Sequence, residues 1–281
     1  MRELHNSGLS GLTIAGFRAS LIDVLLQTAF RTELGKLTSE EINDPPHLSL
    51  IAVGGYGRAQ LNPGSDLDIL FLLPKSANSY AKDSATSVLI QNILYLLWDT
   101  GFKVGYATRS VIECIKEAKD EQQSKTAMMD ARLLAGDEDL FIKFTKKFES
   151  DCLQRDQQAF LDLRIQDISS RHKKYSHTVF LQEPHVKESC GGLRDFHNIL
   201  WVARAKRGTS DLKALVDENI LSIPAYKELI AGYDFIHRVR NELHYYNDSN
   251  TDILTLRLQG VVATNFEYPQ ESILRRCEAF M

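Results

Sequence analysis

Apolar and polar positions follow two different rhythms along this chain, and the switch between them sets out its elements. From residue 8 to 36 apolar residues recur every three or four positions. This predicts a helix with a stripe through Leu12, Phe17, Leu21, Leu25 and Phe30. A polar, Pro-Pro-bearing connection is expected over 38–47. Leu48 to Val53 then reads as a short buried strand and Leu67 to Leu73, ending at Pro74, as a second. Between them Gly54-Gly55 marks a turn, and Tyr56 to Leu61 a short helix. A helix over 82–99 ends at Gly101, Phe102 to Thr108 is a third strand, and Ser110 caps a helix over 111–119.

Beyond about residue 138 the strand signals fade. The pattern predicts a long charged helix over 139–170, an irregular stretch over 172–193, and helices over 194–207, 223–246 and 268–281. The expected fold class is therefore α+β, a mixed-sheet core followed by an all-α helical domain. The expected division is an N-terminal helical segment (1–45), the core (46–140) and the helical domain (141–281).

The second strand carries the chemistry. Residues two apart on a strand share a face, so Asp66 and Asp68 project together while Leu67 and Ile69 point the other way. Two close carboxylates resist joint ionisation unless a cation lies between them. Mg²⁺, or Mn²⁺ in its place, suits one or two carboxylates completed by phosphates and water. The first strand runs into Gly54-Gly55, where a missing Cβ lets phosphate approach the backbone N–H groups. Ser65 adds a hydroxyl beside the carboxylates, and Arg58 is a candidate nucleotide-binding cation. Alone, a Gly-Gly pair marks a turn, and Asp near Pro-Gly-Ser is turn chemistry. Together they describe a site for a nucleoside triphosphate and its metal.

Composition narrows the partners. The chain has 281 residues, a net charge of −4 and a pI of about 6.1. General binding to nucleic acid is not expected of such a balance. Four cysteines at wide spacing fit neither a zinc ribbon nor a disulfide scaffold, which points to a reducing, cytoplasmic setting. The apolar stretch over 11–30 is broken by Arg18 and Asp23, so an amphipathic helix is expected there rather than a membrane span.

With these residues in view, the chain resembles the DNA polymerase β-type nucleotidyltransferases. Gly54-Gly55-Tyr56-Gly57-Arg58 with Pro63-Gly64-Ser65-Asp66-Leu67-Asp68 is similar to the bacterial PII uridylyltransferase/uridylyl-removing family. Later blocks agree in order: Gly105 to Arg109, Leu133 to Asp137, Val186 to Asp195, Ile199-Leu200-Trp201 and Arg238 to His244. The family usually has Gly-Glu where this chain has Ala59-Gln60, and Gly-Pro where it has Ser189-Cys190. The resemblance implies a polymerase β-type core over 46–140, UTP as donor, and a tyrosine of a PII-type nitrogen-signalling protein as acceptor. Asp66 and Asp68 would bind the metal, and Gly54, Gly55 and Ser65 the β- and γ-phosphates.

Lys187 and Arg194 are candidate phosphate contacts, with Asp195 expected to cap the helix that follows. Arg240 and His244 lie one helical turn apart and share a face. The superfamily generally has a third carboxylate on a later core strand, yet Phe102 to Thr108 contains no acid. Asp130 is the candidate, with pairing to Arg132 or surface exposure the alternatives. The resemblance also implies a hydrolase domain of HD type and two ACT domains. Neither follows Met281, so nucleotide removal and glutamine sensing are expected to be absent from this polypeptide. Two other functions stay open: an ATP-using transferase with another acceptor, and a nucleotide-binding regulatory module without transfer.

Overall fold

The second helix, α2 (Gly11–Leu37), buries a different face from the one the stripe predicts. In a computed structural model describing residues 1–37, 46–82 and 84–281, its buried positions are Ile14, Ala15, Ala19, Ile22, Leu26, Ala29 and Phe30. Phe17 and Leu21 are 47% and 61% exposed. Both stripes satisfy helical spacing, because α2 is apolar on more than one side, and the one closed into the core includes the small residues Ala15 and Ala19. By length and composition α2 is apolar enough to cross a membrane. However, Ala19, Ile22, Leu26 and Phe30 join the core formed with Leu50, Ala52 and Phe71, the pattern of a core helix. Most of the connection expected over 38–47 lies outside the described residues.

The described residues divide into two compact units. The sheet unit holds Gly16–Leu61 and Ser65–Asp156. Its four-stranded sheet has the order β3-β2-β1-β4, from β1 (Ser49–Ala52), β2 (Leu67–Leu73), β3 (Val104–Ser110) and β4 (Arg132–Gly136). β1 pairs antiparallel with β2 and β4, and β2 pairs parallel with β3, so the sheet is mixed as expected. Leu67, Ile69, Phe71 and Leu73 on one face of β2 join the core that α2 and α4 (Ala85–Asp99) close. Leu70 and Leu72 on the other face are buried too, which leaves Asp68 as the one exposed residue of the strand. Trp98, at the end of α4, is 44% exposed and meets Tyr106 of β3 edge-to-face. Ser110 starts α5 (Val111–Asp120) with a reciprocal capping box to Glu113.

Two elements here had no clear sequence signal. These are α6 (Gln122–Met129) and strand β4, whose Arg-Leu-Leu-Ala-Gly lacks the β-branched and aromatic residues that mark strands. The long helix expected over 139–170 is interrupted. α7 (Glu138–Phe148) runs into a π-helical turn over Glu149–Gln154 before α8 (Gln157–Lys174) begins.

The helical unit holds Met1–Ala15, Asn62–Gly64 and Gln157–Met281. After α8 come α9 (Leu193–Arg207), α10 (Leu212–Asp217), α11 (Ile223–Asn247), α12 (Leu256–Asn265) and α13 (Ile273–Phe280), while α1 (Arg2–Asn6) belongs to the same unit. The helices expected over 194–207 and 223–246 are α9 and α11, and α13 starts later than expected. α10 and α12 carry no advance signal, being short segments among loops. Val239 and Leu243 of α11 pack with Val186, Leu258 and Val262.

Candidate active site

The glycine turn and the aspartate strand are tied together directly. The N–H of Val53 donates to the carbonyl of Asp68 (3.0 Å), extending the β1–β2 ladder past the end of β1. The turn itself is α3 (Gly54–Gly57), so the short helix takes in both glycines rather than starting at Tyr56. Its first N–H groups have no acceptor within the helix. Gly54 has φ +58°, and a Cβ there would lie 3.7 Å from Asp68 Oδ2. On the other side, β3 places Gly105 opposite Asp68, where a Cβ would stand 2.5 Å from Asp68 Oδ1. The Asp68 carboxylate thus lies between two positions that lack side chains. Asp66 and Asp68 are both exposed and flank the buried Leu67, with Asp66 just ahead of the first residue of β2. The carbonyl of Ser65 accepts from Arg18 Nη1 (3.4 Å).

Among the described residues no group of three or more His, Cys, Asp or Glu side chains could hold a metal. Two carboxylates open to solvent nonetheless fit Mg²⁺, which completes its shell with phosphate and water rather than with a protein cage. β3 contains no acid, as expected. Asp130 ends α6 and forms an ion pair with Arg58, the two side chains being 5% and 13% exposed. Arg132 pairs instead with Asp23 (2.7 and 3.1 Å). Arg58 Nε also donates to Gln60 Oε1 (3.0 Å). Ala59, where the family usually has glycine, has φ +56°.

In the helical unit, the block from Val186 to Asp195 is held tightly. A Cβ at Gly192 would lie 2.9 Å from the carbonyls of Val186, Lys187 and Ser189. Arg194 pairs with Glu188 (3.2 Å), and its guanidinium lies 5.5 Å from the ring centre of Trp201, which is 2% exposed. Asp195 does not cap α9, whose N-cap is Gly192. It lies in the first turn, accepts from Gly191 N–H (2.8 Å), and pairs with His172 (3.0 Å) and Arg171.

Lys187 differs from Arg194. It is half-buried, and among the described residues its ammonium makes no ion pair. Burial, then the nearby Arg240 and Arg194, push its pKa down. Arg240 and His244 do share a face, and both meet Asp252, a residue without signal in the sequence (Arg240 Nε 2.6 Å, His244 Nε2 3.1 Å). Burial pushes the Asp252 carboxyl up, but the His244 hydrogen bond and the Arg240 charge outweigh it and hold it well below the usual range.

Comparison with known proteins gives two family matches along the chain. Residues 37–134 match the family described as nucleotidyltransferase domain, and residues 159–281 match GlnD PII-uridylyltransferase. The chain is 36% identical over 283 residues to the bifunctional uridylyltransferase/uridylyl-removing enzyme of Rhodospirillum rubrum, an alignment covering 100% of this chain and 29% of that protein. It is 31% identical over 281 residues to the enzyme of the same description from Caulobacter vibrioides, again covering 100% and 29%. The chain thus spans under a third of the length of these relatives. With one match lying over the glycine turn and the aspartates and the other over the helical block, the chain is similar to part of the uridylyltransferase/uridylyl-removing enzymes, a family of nucleotidyltransferases.

Proposed function

We propose that this chain transfers a nucleotidyl group from a nucleoside triphosphate to a protein hydroxyl, with UTP as donor and a tyrosine of a PII-type nitrogen-signalling protein as acceptor. The observation that carries this reading is the Asp68 carboxylate set between Gly54 and Gly105, with Asp66 exposed two residues earlier. Asp66 and Asp68 hold Mg²⁺ or Mn²⁺. When bound, that ion stabilises the charge developing on the α-phosphoryl group. The N–H groups of Gly54 and Gly55 and the hydroxyl of Ser65 take the β- and γ-phosphates. Of the candidate cations, Arg58 and Arg194 are already engaged by Asp130 and Glu188. The acceptor hydroxyl oxygen attacks in line, its bond to the α-phosphorus forms as the bond from that phosphorus to the α,β-bridging oxygen breaks, its proton passes to solvent, and pyrophosphate leaves. Positioning and fixed charge supply most of the rate. Free cysteines, and a Cys114 thiol that burial pushes up to about 12, suit a reducing cytoplasm.

A second reading, a nucleotide-binding module without transfer, is favoured by the lack of an acid on β3. One experiment separates the two. UTP and ATP binding are measured by calorimetry with and without Mg²⁺, and transfer of labelled nucleotide to a PII-type protein is followed in parallel. The expected result is Mg²⁺-dependent UTP binding and transfer, both lost in Asp66→Asn/Asp68→Asn. Binding without transfer favours the regulatory module, a preference for ATP replaces the donor, and no binding by folded protein rejects the nucleotide site.

A further inference from the structure

β3 is an outer strand of the sheet, next to the strand that carries Asp68. Among the described residues, only β2 exchanges backbone hydrogen bonds with residues 104–108. Parallel pairing turns every second residue of β3 toward β2 and leaves the alternate ones facing out. The N–H of Leu67 donates to the carbonyl of Lys103 (2.8 Å), and Gly105 stands in register with Asp68. The N–H and C=O groups of Gly105 and Ala107 are therefore the inward ones, and those of Tyr106 and Thr108 face the open edge. Natural sheets shield such an edge with proline or charged side chains. Val104-Gly105-Tyr106-Ala107-Thr108 carries neither, and Gly105 and Tyr106 are exposed.

We propose that this edge docks the acceptor protein, through an extended segment that adds to β3 as a further strand and carries the tyrosine to be modified. The inference rests on the nucleotidyl-transfer reading above and names where its acceptor enters. In-line displacement puts the incoming oxygen opposite the departing pyrophosphate. The glycine turn assigned to the β- and γ-phosphates follows β1, on one side of β2, and β3 lies on the other. The acceptor therefore approaches from the β3 side. The Asp68 carboxylate leans the same way, because its Oδ1 lies 2.5 Å from where a Cβ of Gly105 would stand. With no side chain at Gly105, nothing on that residue walls the carboxylate off from the edge. The Tyr106 ring does not fill the space either, since it points to the opposite face and meets Trp98 there.

Reach selects the kind of residue. Neighbouring strands lie about 4.8 Å apart, so a strand added outside β3 runs about 10 Å from β2. A residue on it in register with Gly105 projects on the face of Asp68. A serine or threonine hydroxyl stays beside its own backbone, whereas a tyrosine hydroxyl extends over Gly105 toward the metal carboxylate.

The test compares Tyr106→Pro with Tyr106→Ala in the full chain. Proline removes the outward N–H and spares the β2 ladder, which does not use that group. Alanine keeps the N–H and accounts for loss of the ring. Transfer of labelled UMP from UTP to a PII-type protein is followed at varied acceptor concentration, alongside UTP affinity by calorimetry. Tyr106→Pro is expected to show a KM for the acceptor protein roughly five- to tenfold above that of Tyr106→Ala, the worth of one intermolecular hydrogen bond. UTP affinity is expected to be the same in both.

Equal KM values in the two variants, with the wild type transferring, overturn the docking edge and leave the proposed function standing. A wild-type dimer that Tyr106→Pro dissolves, read by sedimentation, also overturns it by giving the edge to a second copy. No transfer by the wild type rejects both readings. Should Tyr106→Pro fail to fold, amide exchange of the wild type by NMR decides, with a non-hydrolysable UTP analogue and the PII-type protein added. Protection of the Tyr106 and Thr108 amides supports the docking edge, and unchanged exchange there overturns it.

Discussion

Ala59 is an L-residue in the left-handed region, at φ +56° within the turn that follows the paired glycines. That conformation costs a side-chain-bearing residue about 1–2 kcal/mol, partly offset because glycine orders at greater entropic cost. Ala59→Gly is therefore expected to raise stability by about 1 kcal/mol, read from urea unfolding; a loss would mean that the left-handed backbone is not retained in solution. Asp130 presents the opposite case. Its near-buried carboxylate pairs with Arg58, and cutting a buried pair on one side costs about 3–5 kcal/mol. Asp130→Asn should lower the melting temperature clearly. Abolished transfer at an unchanged melting temperature would instead make Asp130 a participant in the reaction. The aspartate pair was legible because strand alternation is local. Gly105 was legible only as part of a family block, since its closeness to Asp68 comes from the β2–β3 register. Asp252 was not legible at all, because Arg240 and His244 reach it across the loop after α11.

At the level of elements, the strands with a continuous apolar run and the helices with clear caps were readable, as β2 and the Ser110 capping box of α5 show. The limits appear where a segment is apolar on several sides. In α2 periodicity alone favours Leu21 as readily as Leu26, yet Leu26 is fully buried and Leu21 is 61% exposed. Leu26→Ala should cost about 2–5 kcal/mol and Leu21→Ala well under 1 kcal/mol in unfolding free energy. Comparable costs at both sites would restore the stripe inferred from spacing. β4 escaped notice for a different reason: its Leu-Leu-Ala suits a helix, and only pairing with β1 makes it a strand.

On the scale of the whole molecule, the chain enters the helical unit three times, through Met1–Ala15, Asn62–Gly64 and Gln157–Met281. No local pattern reveals such threading, because its contacts join residues far apart in sequence. The helical unit also carries an acid sensitivity. Burial raises the Glu242 carboxyl, but hydrogen bonds from His5 and Asn265 outweigh it and leave it lowered, as Asp252 is. A carboxyl lowered in the folded state stabilises the fold above its unfolded value, 4.5 for Glu242 and 3.8 for Asp252, and that contribution is lost as pH falls through the folded value. Unfolding free energy followed by circular dichroism should therefore drop steeply below about pH 4. Asp252→Asn should be less stable at pH 7 and flatter in acid; an unchanged slope would remove Asp252 from the account. The same two-unit architecture has an optical consequence. The chain's two tryptophans fall one in each unit, Trp98 at the surface of the sheet unit and Trp201 sealed between Arg164 and Arg194 in the helical unit. Iodide should quench the red-shifted emission of Trp98 and leave the blue-shifted emission of Trp201, so a single fluorescence titration can register which unit opens first.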